Sequence, residues 1–530
     1  MKTIKRIDLS SADVEALLAR VRAKMKEADY ELIKSMAETI AFLVQKVEEG
    51  KVSASRLLRM LFGASSEKTK DVLKDALRGE ADADGDEESP ESDKAPRRKK
   101  GHGRTPANAY TGAEVEHTAH ESLEHGDTCP ECERGKVYTM KEPKRLVRIT
   151  GGAPIRAKVY EQERLRCNLC GTVFTAAAPD GVGEEKYDAR VAAIIALLKY
   201  GSGFPFYRLA GLQEGFGVPM PPSVQWEVVS DMSRKLFPVY DELIRHAAQG
   251  DILHNDDTVA KILALAGDTS PIEQGGKKRK AVQTTGIVSC SGDRKVYLFF
   301  TGKRNAGENL DRLLAMRDPK HEDPVLMCDG LSANLPENFS VILSNCLAHG
   351  RRNFIEVALL FPKECKHLLT PLAKVYKVDE ECRQQGMAPA ERLKEHQLRS
   401  KPEMDDLKQW LDKQEENKAI EPNSSMGQAI RYMTKRWEQM TQFLRVPGAP
   451  LDNNICERAL KKAILHRKNS LFYKTQRGAM VGDLFMGMIH TARENGVNPF
   501  DYLVALFENA GLAVADPGAW LPWNYQAGRD

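Results

Sequence analysis

Several things are scarce in this chain, and each shortage removes a class of protein. No run approaches the roughly 18 consecutive apolar residues that a membrane span needs, so no membrane partner is expected. The opening Met-Lys-Thr-Ile-Lys-Arg-Ile-Asp lacks the apolar centre of a signal peptide, which points to a cytoplasmic chain. Cysteine is sparse: ten occur in 530 residues, four of them in two Cys-x-x-Cys pairs and the rest scattered. That pattern excludes a disulfide scaffold and suits a reduced protein with a metal site. Charge of one sign is not in excess either. With 78 Lys and Arg against 75 Asp and Glu, the net charge is +3. The overall field therefore says little about nucleic acid, and local clusters must carry that information.

What is present is enough for several domains. A chain of this length exceeds one hydrophobic core, and 42% hydrophobic residues can fill more than one. Residues 11–49 read as one long helix. Val14, Leu18, Val21, Met25 and Leu32, then Ile33, Met36, Ile40, Leu43 and Val47, keep a three-to-four spacing with a phase shift near Leu32. This seam suits a short coiled coil within a zipper-like region, 1–78, or else packing within its own domain. A charged linker, 79–124, follows. It is acidic from Glu80 to Asp93 and basic from Lys94 to Arg104. Such a segment buries too little apolar surface to offset its ordering entropy. Its basic half either grips phosphates or is a solvated tether.

Residues 125–178 carry Cys129-Pro-Glu-Cys132 and Cys167-Asn-Leu-Cys170, with strand-like stretches at 145–150 and 157–165. Two such knuckles place four thiolates around Zn²⁺ at about 2.3 Å, a closed and therefore structural site in a zinc-ribbon-like module. Redox use fits less well, because no βαβ pattern surrounds the pairs. Residues 179–249 read as helices broken at Gly201-Ser-Gly-Phe-Pro and Gly215-Phe-Gly-Val-Pro. That is the outline of a helix-turn-helix for DNA, and equally of a plain helical bundle.

The region from 250 to 354 holds the most chemistry. Strand candidates run over 251–255, 259–266, 282–290, 295–301, 324–328 and 340–344, with a helix over 308–316. The order fits a mixed sheet with an antiparallel and a parallel side. In such a sheet the first strand lies beside the 324–328 strand, so Asp256 and Asp329 emerge together. Residues 355–446 read as a charged helical insertion. Within 447–500, Asp452-Asn-Asn opens a helix bearing Glu457 with good capping residues. Lys461 and Lys468 share its face with Glu457, Arg458 and Lys462 lie beside them, and Arg467 extends the stripe. A basic stripe leading away from a carboxylate suits a DNA backbone, or else a solvated helix face. The remainder, 501–530, is a helical tail. Hard cations such as Mg²⁺ or Mn²⁺ prefer carboxylate oxygens. Asp256, Asp329 and Glu457 together can hold a pair of them about 4 Å apart for phosphodiester chemistry. Cys346 and His349 read as groups that shape this site from behind.

Taken together these residues resemble the insertion sequence 66 family of bacterial transposases, of the DDE type. The resemblance rests on Leu61-Phe-Gly-Ala-Ser-Ser-Glu-Lys, Lys100-Gly-His-Gly-Arg, both Cys-x-x-Cys pairs, Asp256-Asp-Thr, Cys346-Leu-Ala-His-Gly-Arg-Arg, Asp452-Asn-Asn-Ile-Cys-Glu-Arg, Arg467-Lys-Asn-Ser-Leu-Phe and Trp520-Leu-Pro-Trp. It implies a multidomain α/β protein with a ribonuclease H-like catalytic core, a helical insertion, a zinc finger and an N-terminal zipper. It also implies Mg-dependent nicking and strand transfer on double-stranded DNA. A nucleoid-associated homo-oligomer and accessory transposition proteins belong to the same expectation. The family's Asp-Glu-Thr is Asp256-Asp257-Thr258 here, which makes Asp257 a rival ligand, and the aromatics usual after the second Asp-Gly are absent after Asp329-Gly330. The competing function is a non-catalytic zinc-containing DNA-binding regulator.

Overall fold

The computed structural model describes residues 122–140, 151–166, 172–182, 185–268, 279–417 and 420–525, with a few isolated positions besides. The expected zipper helix, nearly all of the linker and Cys167 lie outside the described residues. The chain divides into one unit of residues 1–85 with 155–530 and another of 86–154.

In the 86–154 unit, a tight knuckle surrounds the first cysteine pair. Thr128 bridges Lys136 in antiparallel fashion. The Cys129 N–H donates to the Gly135 carbonyl at 2.8 Å, and the Glu133 N–H to the Cys129 carbonyl at 2.9 Å. Glu133 adopts φ 54°, the left-handed turn that folds the loop back on itself.

The larger unit begins with a short exposed hairpin, β1 (Arg164–Arg166) and β2 (Val173–Thr175), paired antiparallel. The strand read over 157–165 therefore forms only at its end. Three helices follow. α1 (Ala189–Ala196) is capped by Asp188, whose carboxylate accepts from the Val191 N–H, and it runs on through a π-turn, Leu197–Gly201. α2 (Phe206–Gly215) and the 27-residue α3 (Pro222–Ala248) come next.

The sheet is built from β3 (Ile252–Val259), β4 (Gln283–Ser291), β5 (Arg294–Gly302), β6 (Val325–Cys328) and β7 (Ile342–Asn345), with α4 (Ala306–Leu314) between β5 and β6. Its order is β5-β4-β3-β6-β7. The first three strands are antiparallel, and β6 and β7 run parallel to β3. β6, Val-Leu-Met-Cys, is buried at all four residues, as a strand covered on both faces requires. The mixed sheet read from the sequence is thus present, with one correction. The strand read over 259–266 does not form. β3 continues unbroken through Asp256 to Val259, and beyond it Leu263–Leu265 is a 3₁₀ turn. There Ile262 bridges Tyr473 in place of joining the sheet.

α5 (Leu347–Val357), α6 (Pro362–Gln384), α7 (Pro389–Glu395), α8 (Lys401–Glu416), α9 (Ser425–Thr434) and α10 (Trp437–Met440) follow β7. Leu368, Leu372, Leu407, Leu411, Met426 and Met433 close around a hydrophobic core of their own. The chain then returns to the sheet. α11 (Asn454–Ser470) packs across β3 and β4, and α12 (Gln476–Glu494) packs along β5. α13 (Pro499–Glu508) packs on α1. The sheet, α1, α3, α11, α12 and α13 share the main core. The helices of 186–248 are therefore part of the sheet's own packing. Among the described residues no helix is long and apolar enough to cross a membrane.

Candidate active site

β3 and β6 are in parallel register, with Ile252 beside Val325 and His254 beside Met327. Two residues further along this register, Asp256 meets Asp329 just past the end of β6. Successive strand residues point to opposite faces, so Asp256 and Asp257 part company. The Thr285 hydroxyl donates to Asp257 Oδ1 at 2.6 Å, and the Ala306 N–H donates to its Oδ2 at 2.8 Å. Both oxygens of Asp257 are thus engaged in tying β3 to β4 and to the start of α4. Asp256, by contrast, accepts among the described residues only the neighbouring Asp257 N–H, at 2.8 Å.

Asp256 is the electrostatic focus. Its carboxyl is pushed up to about 7 by burial, aided by the charges of Asp329, Asp257 and Glu457. Asp329 Oδ1 accepts from the Leu331 N–H at 3.0 Å and from Asn334 Nδ2 at 2.6 Å, which holds the carboxylate at the strand end. Glu457 sits in the first turn of α11, and its Oε1 is buried without a hydrogen-bond partner among the described residues. Three acids gathered this way repel one another, and among the described residues Glu457 Oε1 lacks the donor that a buried carboxylate oxygen normally finds. A hard divalent cation would supply the charge that balances them, and the all-oxygen chemistry of these side chains suits Mg²⁺ or Mn²⁺.

The approach of α11 to the sheet depends on residues whose contacts the sequence reading did not foresee. Gly286 is the cross-strand partner of Asp256. A Cβ placed there would lie 2.9 Å from Leu460 Cδ2 and 3.0 Å from its Cγ. The Cys456 thiol donates to the Gly286 carbonyl at 3.3 Å. Any side chain there would force Leu460 to shift for the helix to settle at this distance, and an isolated Gly within a strand pattern was the available signal. Asn453 is the second such residue. Read as a helix cap, it makes no side-chain cap bond. Its amide instead bridges to β3, with Nδ2 donating to the Asn255 carbonyl at 2.9 Å and Oδ1 3.0 Å from His254 Nδ1. Its backbone N–H donates to Cys346 Sγ at 3.3 Å. A buried strand leaves few partners for these groups, and satisfying them outweighs one cap bond. The third contribution comes from the inserted helices. The Tyr432 hydroxyl donates to the Asp329 carbonyl at 3.2 Å, and the Arg436 guanidinium lies 4.3 Å from the Tyr432 ring centroid. Gly330, at φ 81°, leaves room for Arg436 Nε, which would be 3.0 Å from a Cβ.

The basic stripe is partly as read. Arg458, Lys461 and Lys468 are exposed and Lys462 is half-buried. Arg467 differs, because its guanidinium donates to the Val259 carbonyl and to Thr258 Oγ1, anchoring the end of β3. Cys346, buried at the start of α5, and His349, one turn on, flank Glu457; His349 Nε2 is 3.7 Å from Glu457 Oε1. Of the four knuckle cysteines, Cys129 and Cys132 belong to the 86–154 unit and Cys170 to the other. The Gly135 N–H donates to Cys132 Sγ at 3.4 Å. Backbone N–H groups of Arg134 and Gly135 hold the Cys132 thiol below its ordinary value, as suits a thiolate ligand.

These features define a mixed α/β protein with three acidic groups gathered where the parallel edge of its sheet meets a crossing helix. A family model described as the IS66 family of transposases matches residues 185–481, and the chain belongs to that family. Two uncharacterized proteins of Sinorhizobium fredii are similar along most of their length. The protein y4jD is 27% identical over 401 residues, covering 71% of this chain and 74% of the relative. The protein y4hP is 27% identical over 431 residues, covering 76% and 74%.

Proposed function

We propose that the chain is a DDE-type transposase with a ribonuclease H-like core, in which Asp256, Asp329 and Glu457 hold Mg²⁺ or Mn²⁺. The observation that carries this reading is the placing of Asp329 and Glu457 beside Asp256, whose carboxyl is driven up to about 7 by burial, with the neighbouring charges adding to the shift. Such crowding is unfavourable unless a cation relieves it. Divalent metal there, when bound, would activate the attacking oxygen and stabilise the leaving one. The reaction read from this site is hydrolysis of a phosphodiester at the element's end, freeing a 3′-OH, followed by attack of that 3′-OH on target DNA. Asp256 and Asp329, fixed on adjacent strands, supply the rigid half of the cation site, and Glu457 on α11 closes it. Arg458, Lys461, Lys462 and Lys468 hold the phosphate backbone, with Arg467 fixing the strand end behind them. Cys129, Cys132, Cys167 and Cys170 are assigned to a structural Zn²⁺ in a zinc-ribbon-like module. That module and the exposed face of α2 are assigned to recognition of the element's ends. The working form is a homo-oligomer on double-stranded DNA.

Purified chain, a cognate end duplex and Mg²⁺ test this directly. Asp256→Ala, Asp329→Ala and Glu457→Ala should each abolish nicking while binding to end DNA persists, because affinity resides mainly in phosphate contacts elsewhere. Wild-type chain that binds ends but never nicks them in Mg²⁺ or Mn²⁺ would favour a non-catalytic DNA-binding regulator.

A further inference from the structure

We infer that Cys346, His349 and Glu457 form a second cation site, suited to zinc or a similar transition ion, that shares Glu457 with the carboxylate cluster. The sulfur, an imidazole nitrogen and a carboxylate oxygen all lie within 4.8 Å of one another. A tetrahedral zinc ion with bonds of about 2.0–2.3 Å holds its ligands roughly 3.3–3.8 Å apart. The 3.7 Å between His349 Nε2 and Glu457 Oε1 already meets that spacing, and small rotations bring in the sulfur.

The surroundings fit a ligand set. Cys346 and His349 are three residues apart at the start of α5, so they share one face of the helix. Cys346 is 1% exposed, and its sulfur accepts the Asn453 N–H at 3.3 Å, the kind of outer contact that orients a ligating thiolate. His349 Nδ1 and Glu457 Oε1 are buried and make no hydrogen bond among the described residues. The imidazole therefore lies beside the carboxylate without the bonds that a merely structural histidine would make.

Donor chemistry separates this site from its neighbour. Asp256 and Asp329 present oxygen alone, which suits Mg²⁺; Cys346 and His349 add sulfur and nitrogen, which Mg²⁺ avoids and zinc prefers. Glu457 stands between them. An ion held by Cys346 and His349 draws the Glu457 carboxylate to its own side and takes it from Asp256 and Asp329. Zinc at this place thus acts as an inhibitor of the proposed magnesium-dependent reaction, a consequence that rests on that reading. The site itself does not.

The experiment strips metal from the full chain and titrates it with Zn²⁺, then with Co²⁺. Wild type should take up one equivalent more than Cys346→Ala and one more than His349→Gln, whatever the other cysteines bind. The wild-type-minus-Cys346→Ala cobalt spectrum should contain a thiolate-to-cobalt charge-transfer band in the near ultraviolet. If Cys346→Ala fails to fold, His349→Gln carries the comparison, since that side chain is 28% exposed and its Nδ1 makes no hydrogen bond among the described residues. Equal metal uptake by wild type and His349→Gln would overturn the site, even in a chain that nicks DNA. Where nicking is measured, zinc sufficient to fill the site should lower the Mg²⁺ rate at least tenfold in wild type and under twofold, relative to its own zinc-free rate, in His349→Gln. Matching inhibition in both would overturn the shared role of Glu457.

Discussion

Asp256 and Asp257 are neighbours of the same type with opposite circumstances, and that contrast can be measured. Asp257 spends both oxygens on Thr285 and on the Ala306 N–H. Asp257→Ala leaves those donors unpaired and should destabilise the fold by about 1–3 kcal/mol. Chemical denaturation would show the loss, and residual nicking by the folded fraction would separate it from the inactive Asp256→Ala. If Asp257→Ala is folded and dead while Asp256→Ala still nicks, the ligand is Asp257. The titration of Asp256 has a definite sign. Its folded value, about 7, lies above the ordinary carboxylate value of 3.8, so the metal-free fold binds this proton more tightly than the unfolded chain. That contribution is full at acid pH and is lost as pH rises from about 4 through 7. Asp256→Asn should therefore be more stable than metal-free wild type at pH 8, by on the order of 1–3 kcal/mol, and about equal to it near pH 4. Thermal melts with chelator across that range would check this. Magnesium should narrow the pH 8 gap by stabilising wild type alone.

At the scale of elements, the site depends on how closely α11 lies on β3 and β4. Gly286 sets that distance from the sheet and Asn453 pins the helix start to β3. Gly286→Val should push Leu460 and the helix outward, costing about 1–3 kcal/mol through overpacking. Nicking should fall more than stability implies, since a displacement of about 1 Å at a reacting centre can lower rate by roughly 100-fold. The check is the rate of folded variant at saturating Mg²⁺. A rate within twofold of wild type would mean that Glu457 does not need this contact. The sequence reading located the α11 helix and its basic face, because a three-to-four pattern and Asp-Asn-Asn are local signals. It placed Asn453 at the helix start, but missed Gly286 and the bridge of the Asn453 side chain to β3, because both act through partners 170 or more residues away.

Among the described residues two large hydrophobic cores stand out, one under the sheet and one within the helices between β7 and α11, beside a small third cluster around Ile262. Tyr432 and Arg436 in that inserted segment return to the Asp329 turn, so the insertion belongs to the site as well as interrupting it. Concerted cutting of two ends calls for at least two such sites. The apolar seam from Val14 to Val47, outside the described residues, is the sequence's best candidate for joining subunits. Deleting residues 1–50 should weaken self-association and paired-end complexes, read by analytical ultracentrifugation and gel shift, while circular dichroism of the remainder is retained. Paired-end complexes at unchanged concentration would place the seam inside its own subunit.

Local pattern alone determined the α/β class, most of the strands from 252 to 345 and the helical character of 355–446, and it proposed the acidic residues for a cation. Periodicity and residue chemistry act over a few positions, so they can be read without a fold. The resemblance supplied the family. Only tertiary structure decided that β3 runs through Asp256 without ending there, because cross-strand pairing with β4 sustains it. It also decided which of two adjacent aspartates is tied up by hydrogen bonds, and that Arg467 braces a strand end. The placing of Cys346 and His349 against Glu457 was decided there too. Those outcomes depend on which distant groups meet, and on the competition among them for a small number of buried hydrogen bonds.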